Sequence, residues 1–246
     1  MYARGGDLLG LLLRIPALAV VTVFVGALAF LAAGAGQLKG VEGLLTFAFV
    51  TTDERVYTDA YPIVAKDGEY IGSVFIEPEQ VSQAKKLKLS QLNEMVVNGW
   101  EVGTFLPLSL TSGNEETSLL VDQAKKKTMS VLGLEPVSLV TRTPHAQVSS
   151  RAMSAIQRNF ETWLPRVEEV SIALNALPIE KYHLKYVDGD QLMLTQIEDS
   201  LRKARESRAW IIIEFTQMGT QTNQKLREII QVAKVLGFRK FVLQQR

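Results

Sequence analysis

The hydrophobic positions fall into one long uniform run followed by a series of short periodic ones. From Ile15 to Leu38 the chain carries 24 consecutive uncharged residues. A helix of about 20 residues crosses a hydrocarbon core, so the pattern predicts a transmembrane helix over 15–38. Pro16 falls in its first turn, where a missing N–H costs least, and Arg14 sits at its edge. A secretory signal peptide is the competing reading, with Arg4 as its basic region and Ala33-Gly34-Ala35 as its cleavage site. The run exceeds the ordinary signal-peptide core of roughly 7–15 residues, which favours a retained anchor. Arg4 and Arg14 precede the run and Lys39 alone follows it closely, a bias that places the N-terminus inside. Residues 1–14 are then a short N-terminal segment and 39–53 a linker.

Beyond the anchor the period shortens. Leu44–Val50 is a strand or an interfacial segment. Val56–Ala65 and Tyr70–Glu77 are β-rich runs around Lys66-Asp67-Gly68-Glu69, which holds an Asp-Gly turn signal. Pro78-Glu79 opens a helix with Leu89, Leu92, Met95 and Val96 on one face, ended by Asn98-Gly99. Trp100–Leu110 is a strand and Thr111–Glu116 a polar loop. A second helix runs to Leu132, Gly133 stops it, and Pro136–Thr141 is a strand. Residues 54–142 thus read as a ββαβαβ domain.

Ile156, Phe160, Trp163, Val167, Val170, Leu174 and Leu177 follow in steps of four and three, the seam spacing of a coiled coil interrupted at Pro165. They predict a helical connector over 143–178 that serves as an assembly seam or packs on its own domain. Residues 179–246 read as βαβαβ: strand Tyr182–Val187, turn Asp188-Gly189-Asp190, a helical face of Leu194, Ile197, Leu201 and Ala204, and strand Ala209–Phe215. A second helical face of Leu226, Ile229, Ile230 and Ala233 and strand Phe238–Leu243 complete it. Val131-Leu132-Gly133-Leu134 recurs as Val235-Leu236-Gly237-Phe238, which suggests a repeat of one module. The expected fold class is a single-pass N-terminal transmembrane helix followed by an α+β body of two small α/β sandwich domains.

Composition removes several chemistries. The 246 residues include no Cys and two His, and 27 Lys+Arg face 26 Asp+Glu. No disulfide, thiolate nucleophile or Cys-based metal site is available, and the charge balance argues against a nucleic-acid binder. No phosphate loop, His-Glu-x-x-His or Gly-x-Ser-x-Gly motif occurs, and Gly34-x-Gly36 through Gly40 has the wrong spacing for a dinucleotide loop. His145 at a helix entrance and His183 within a strand read as packing or surface residues. Lys85-Lys86-x-Lys88 and Lys125-Lys126-Lys127 read as solvated faces or contacts for an anionic partner. No catalytic, metal or cofactor-binding residue is assigned, and no cofactor is expected.

The strand Ala209–Phe215 and the stretch Leu226 to Leu243, in which a helix closes on Gly-Phe-x-Lys before an apolar terminal strand, resemble the periplasmic domain of the ExbD/TolR family. That resemblance covers the last 65 or so residues and implies a one-span inner-membrane protein working with a multi-span partner. The family's proton-carrying Asp lies inside its span; none occupies 15–38, and Asp7 is the one candidate substitute. The expectation is a non-enzymatic, membrane-anchored structural subunit of a cell-envelope machine such as a secretion, conjugation or pilus complex. Its body is periplasmic, and its partners are other envelope proteins in a homo- or hetero-oligomer. ExbD/TolR-like energy transduction through Asp7 is the alternative, and a membrane-tethered enzyme the third class.

Overall fold

The computed structural model describes residues 43–111, 115–166, 173–176 and 179–241. The expected span at 15–38, Asp7, and the seam positions Val167, Val170 and Leu177 lie outside them. Among the described residues no helix is long and apolar enough to cross a membrane.

Leu44–Val50 (β1) is buried at every position. A run with no polar face suits a parallel strand covered on both sides, and β1 occupies such a place. Gly72–Ile76 (β2) pairs with one of its edges and Trp210–Phe215 (β7) with the other, both parallel. The remaining strands, Glu101–Leu106 (β3), Ser138–Pro144 (β4), Thr162–Arg166 (β5) and Val187–Asp188 (β6), complete the order β5-β4-β3-β2-β1-β7-β6. The short strand Arg239–Lys240 (β8) pairs with the first residues of β1. Every strand pair is parallel, so each needs a crossover. Helices Leu89–Val97 (α1), Glu115–Leu132 (α2), Ser150–Asn159 (α3), Leu194–Glu206 (α4) and Thr220–Val235 (α5) supply most of these.

The sheet curls until its ends meet. The Trp163 N–H donates to the Lys181 carbonyl and the Leu184 N–H to the Trp163 carbonyl, so the chain at 181–184 runs beside β5. Asn175 and Trp210 exchange backbone hydrogen bonds of 2.9 and 3.0 Å, which ties the same stretch to β7. The side chain of Asn175 also bonds both ways to the Lys185 backbone. The result is a curled barrel of parallel strands whose ends are bridged by Asn175 and the chain at 181–185. Outward residues such as Phe47, Phe49, Val74, Val102, Ile211, Ile213 and Phe215 meet the helices in one large core, and Leu139, Trp163, Ala152 and Ile156 form a second.

Two sandwich domains are therefore not what the chain builds. The described residues from Gly43 onward belong to one compact unit, and β1, inside the expected 39–53 linker, pairs on one side with β2 of the first expected module and on the other, over six positions, with β7 of the second. The physical reason is that both modules are fragments of one repeating strand–helix arrangement, which short-range patterning cannot tell from separate domains.

Locally, Val56–Ala65 is not a strand: Val56–Ala60 and Pro62–Asp67 are helical turns, burying Val56, Ala60, Ile63 and Val64. The parallel β1–β2 pair demands a crossover there, and the Gly68 N–H closes the second turn on the Ile63 carbonyl instead of making a hairpin. The helix expected from Pro78 begins at Leu89, after a short turn at Pro78–Gln80. The heptad positions do not share one helix. Ile156 lies on α3, Phe160 just beyond it and Trp163 on β5, all three buried in the chain's own second core. Leu174 packs against the larger core. The expected ends at Gly133 and Gly237 hold, both glycines having left-handed φ of 66° and 76°.

Candidate active site at the barrel mouth

Alternation along each strand points every second residue into the barrel, and the inward set is unexpectedly polar. Near the N-terminal floor, the Glu101 carboxylate accepts from the Ser73 hydroxyl at 3.2 Å and from Ser138, to which Thr162 donates at 2.7 Å. All four side chains belong to buried residues. They form a hydroxyl ladder across β2, β3, β4 and β5 that satisfies a buried carboxylate.

The C-terminal mouth holds a different constellation. Arg142 on β4 donates from Nη1 to Glu214 Oε1 on β7 at 2.7 Å. The two strands are not hydrogen-bonded neighbours, so this ion pair spans the interior. The Arg142 guanidinium lies 5.2 Å from the Phe105 ring centroid, and Tyr186 also faces it. Glu214 Oε2 is buried without a hydrogen-bond partner among the described residues. Burial pushes the Glu214 carboxyl up to about 7, Arg142 pulling it down and Asp188 and Asp190 adding to the rise. Arg142 is held above its ordinary value, burial opposing and Glu214 favouring its charge. The partners respond differently because the Glu214 side chain is 4% exposed and that of Arg142 31%; desolvation falls hardest on the carboxylate.

Other carboxylates at this end are already committed. Asp190 Oδ2 accepts from the Thr216 N–H and hydroxyl and from the Gln217 N–H. Asp53, just past β1, is held below its usual range by the Arg55 guanidinium, which reaches it at 2.6 Å. Beside Arg142 opens a cavity of about 200 Å³ that Arg166, Ser109, Thr111, Thr143 and Gln147 also line, among others. Among the described residues no three His, Asp or Glu side chains gather as a metal ion requires. The described residues do not fit a resident metal.

The histidines and lysine clusters that stand out in the sequence lie elsewhere. His145 and His183 stack on each other with centroids 4.2 Å apart, and His145 also stacks on Trp163, which faces the second core. Burial, then His145 and Lys185, lower the His183 pKa. Lys88, Lys125 and Lys127 pair with Glu54, Glu135 and Glu79. Arg142 and Glu214 escape a reading by pattern because they lie 72 positions apart on strands that no local motif links. The signal they do carry is a carboxylate inside Trp-Ile-Ile-Ile-Glu-Phe and a guanidinium inside Ser-Leu-Val-Thr-Arg-Thr-Pro, the first a buried charge in need of a partner.

No protein-family model matches the chain, and no curated protein matches it either. Solved structures do. The family 4 carbohydrate esterase domain of a multidomain xylanase from the hindgut metagenome of Trinervitermes trinervoides superposes with a TM-score of 0.54 at 14% identity, covering 81% of this chain and 86% of that one. The family 4 carbohydrate esterase from Streptomyces lividans, solved with acetate, gives 0.55 at 10% identity, covering 82% and 94%. A peptidoglycan N-acetylglucosamine deacetylase gives 0.54 at 13% identity, covering 82% and 86%. A family 4 pseudoenzyme also matches.

These likenesses overturn the ExbD/TolR resemblance. Its strand, its glycine-ended helix and its terminal strand are β7, α5 and β8, an arrangement any parallel strand–helix unit produces. The envelope-machine subunit, the non-enzymatic reading and the inner-membrane placement with a periplasmic body are set aside with it: the fold is one found among esterases and deacetylases, and among the described residues no helix is long and apolar enough to cross a membrane. The chain has the fold of the family 4 carbohydrate esterases.

Proposed function

We propose that this chain is a hydrolase that removes acyl groups from a polysaccharide at the mouth of its barrel. The observation that carries the reading is the Arg142–Glu214 pair at the C-terminal ends of β4 and β7. The mouth formed by the C-terminal strand ends is where parallel strand–helix barrels place their chemistry. A carboxyl near pH 7 can both take and return a proton at neutral pH. The fold likeness to esterases and deacetylases of acylated glycans supports the substrate class.

In this reading a water molecule adds to the acyl carbon while Glu214 accepts its proton. Arg142, which reaches the cavity, donates to the oxyanion that forms. The carbon–nitrogen or carbon–oxygen bond then breaks, and Glu214 returns the proton to the departing amine or alkoxide. The products are a free carboxylic acid and the deacylated sugar.

The test is release of acetate from acetylated chitooligosaccharides and acetylated xylan. The wild-type chain should release it, and Glu214→Gln should lower kcat by about 10²–10⁴-fold. Wild-type turnover no faster than the buffer, or full activity in Glu214→Gln, would sink the proposal.

A further inference from the structure

The end of the barrel opposite the mouth carries a second surface that the proposed hydrolysis does not use. Here α4 and α5 end and β1, β7 and β8 begin. Arg202, Arg205 and Arg208 line a surface cavity of about 300 Å³ with Glu206 and Leu236. Lys234, Arg239 and Lys240 border a neighbouring hollow beside Glu69. The three arginines, Arg239 and both lysines are exposed. Basic side chains thus outnumber acidic ones in this sector, although the whole chain has a formal net charge of only +1. The excess is local.

The path of the chain gives that patch a direction. The described residues open at Gly43, whose carbonyl accepts from the Arg239 N–H at 3.1 Å, and the next residue, Leu44, donates to the Ala209 carbonyl at 3.2 Å. Backbone pairing therefore sets Arg208-Ala209 on one side of the entry point and Arg239-Lys240 on the other. Forty-two residues precede this point, among them the uncharged run Ile15–Leu38. Such a run favours apolar surroundings whatever its conformation.

We infer that this basic floor docks on an anionic lipid bilayer, with Arg208, Arg239 and Lys240 around the chain's entry point meeting the headgroups. Basic residues at an anionic lipid surface each add to binding, and the attraction weakens with salt. Docking of this kind asks for no spanning helix among the described residues. It also places the mouth, at the other end of the strands, away from the lipid and toward a polysaccharide outside it.

The test uses the full chain and vesicles of phosphatidylcholine alone or mixed with phosphatidylglycerol. Wild type should partition onto the mixed vesicles in preference, and added salt should shrink the preference. Each basic residue neutralised should lower the anionic-over-zwitterionic ratio about fivefold. Arg208→Gln, Arg239→Gln and Lys240→Gln together should therefore lower it roughly a hundredfold. A second variant, Arg208→Lys with Lys240→Arg, keeps the charge and should keep the preference, which separates charge from misfolding. Arg166→Gln at the opposite end should leave the lipid preference unchanged. No anionic preference in wild type, an undiminished preference in the triple variant, or an equal loss in Arg166→Gln would overturn the inference. So would a soluble polyanion that displaces the protein from the mixed vesicles as effectively as excess vesicles do. Acetate release from soluble oligosaccharide reports on the mouth alone, so failure of one reading leaves the other standing.

Discussion

Glu214 shows how one side chain links folding to chemistry. In the folded protein its carboxyl keeps its proton up to about pH 7, whereas the unfolded chain gives it up near the ordinary 4.5. Between those values the folded state binds more protons, so this group's contribution to stability falls as the pH rises through the window. Glu214→Gln cannot ionise and should lose less melting temperature than wild type between about pH 5 and about pH 8. Parallel melting-temperature curves for the two proteins would remove Glu214 as the titrating group. The same proton governs rate: if Glu214 is the base, kcat/KM should climb with pH and level off above about 7. The residue is visible in the sequence as a lone carboxylate in an apolar strand. Its partner lies 72 positions away, and no local pattern links the two.

At the scale of elements, sequence pattern recovers the apolar strands and most helical faces, and it fails where long-range pairing chooses the conformation. β1, β3 and β7 announce themselves by apolar runs, and α4 and α5 by period. Val56–Ala65 looks like a strand because it is rich in β-branched and aromatic residues, yet a parallel neighbour requires it to turn back as helix. Two glycines separate the local rule from the tertiary one. Gly133 ends α2 at φ 66° with open space around a would-be Cβ, whereas at Gly103 a Cβ would lie 2.6 Å from the Phe75 ring and 2.9 Å from the Ser138 carbonyl. Gly133→Ala should cost about 1 kcal/mol of backbone strain, and Gly133→Asn should recover much of it, because Asn tolerates that conformation. Gly103→Ala should cost about 1–3 kcal/mol by overpacking, and Gly103→Asn more still. Urea midpoints will decide, and a recovery by Asn at both positions would refute the distinction.

For the whole molecule, the central question is whether the chain is one cooperative body or two. Chain order suggests two, since the sequence places a connector between a first strand–helix series and a second. Sheet order denies it. β1, from the first series, is paired along one edge with β7 from the last, Leu44 through Phe49 against Trp210 through Phe215. The barrel is closed by Asn175, whose backbone meets Trp210 while its side chain holds Lys185. Cutting at residue 179 would strip β1 of that partner and leave β7 without its central neighbour, exposing buried edges on both pieces. The three tryptophans report on this directly, because Trp100 and Trp210 sit on opposite sides of β1 and Trp163 belongs to the second core. Variants retaining one tryptophan each should melt at a common urea midpoint that coincides with loss of far-ultraviolet circular dichroism, as a two-state body requires. Two modules would instead give Trp100 and Trp210 separate midpoints, and the fragments 39–178 and 179–246 would each fold alone. Either result would break the single barrel on which the mouth, the floor and the Arg142–Glu214 pair depend.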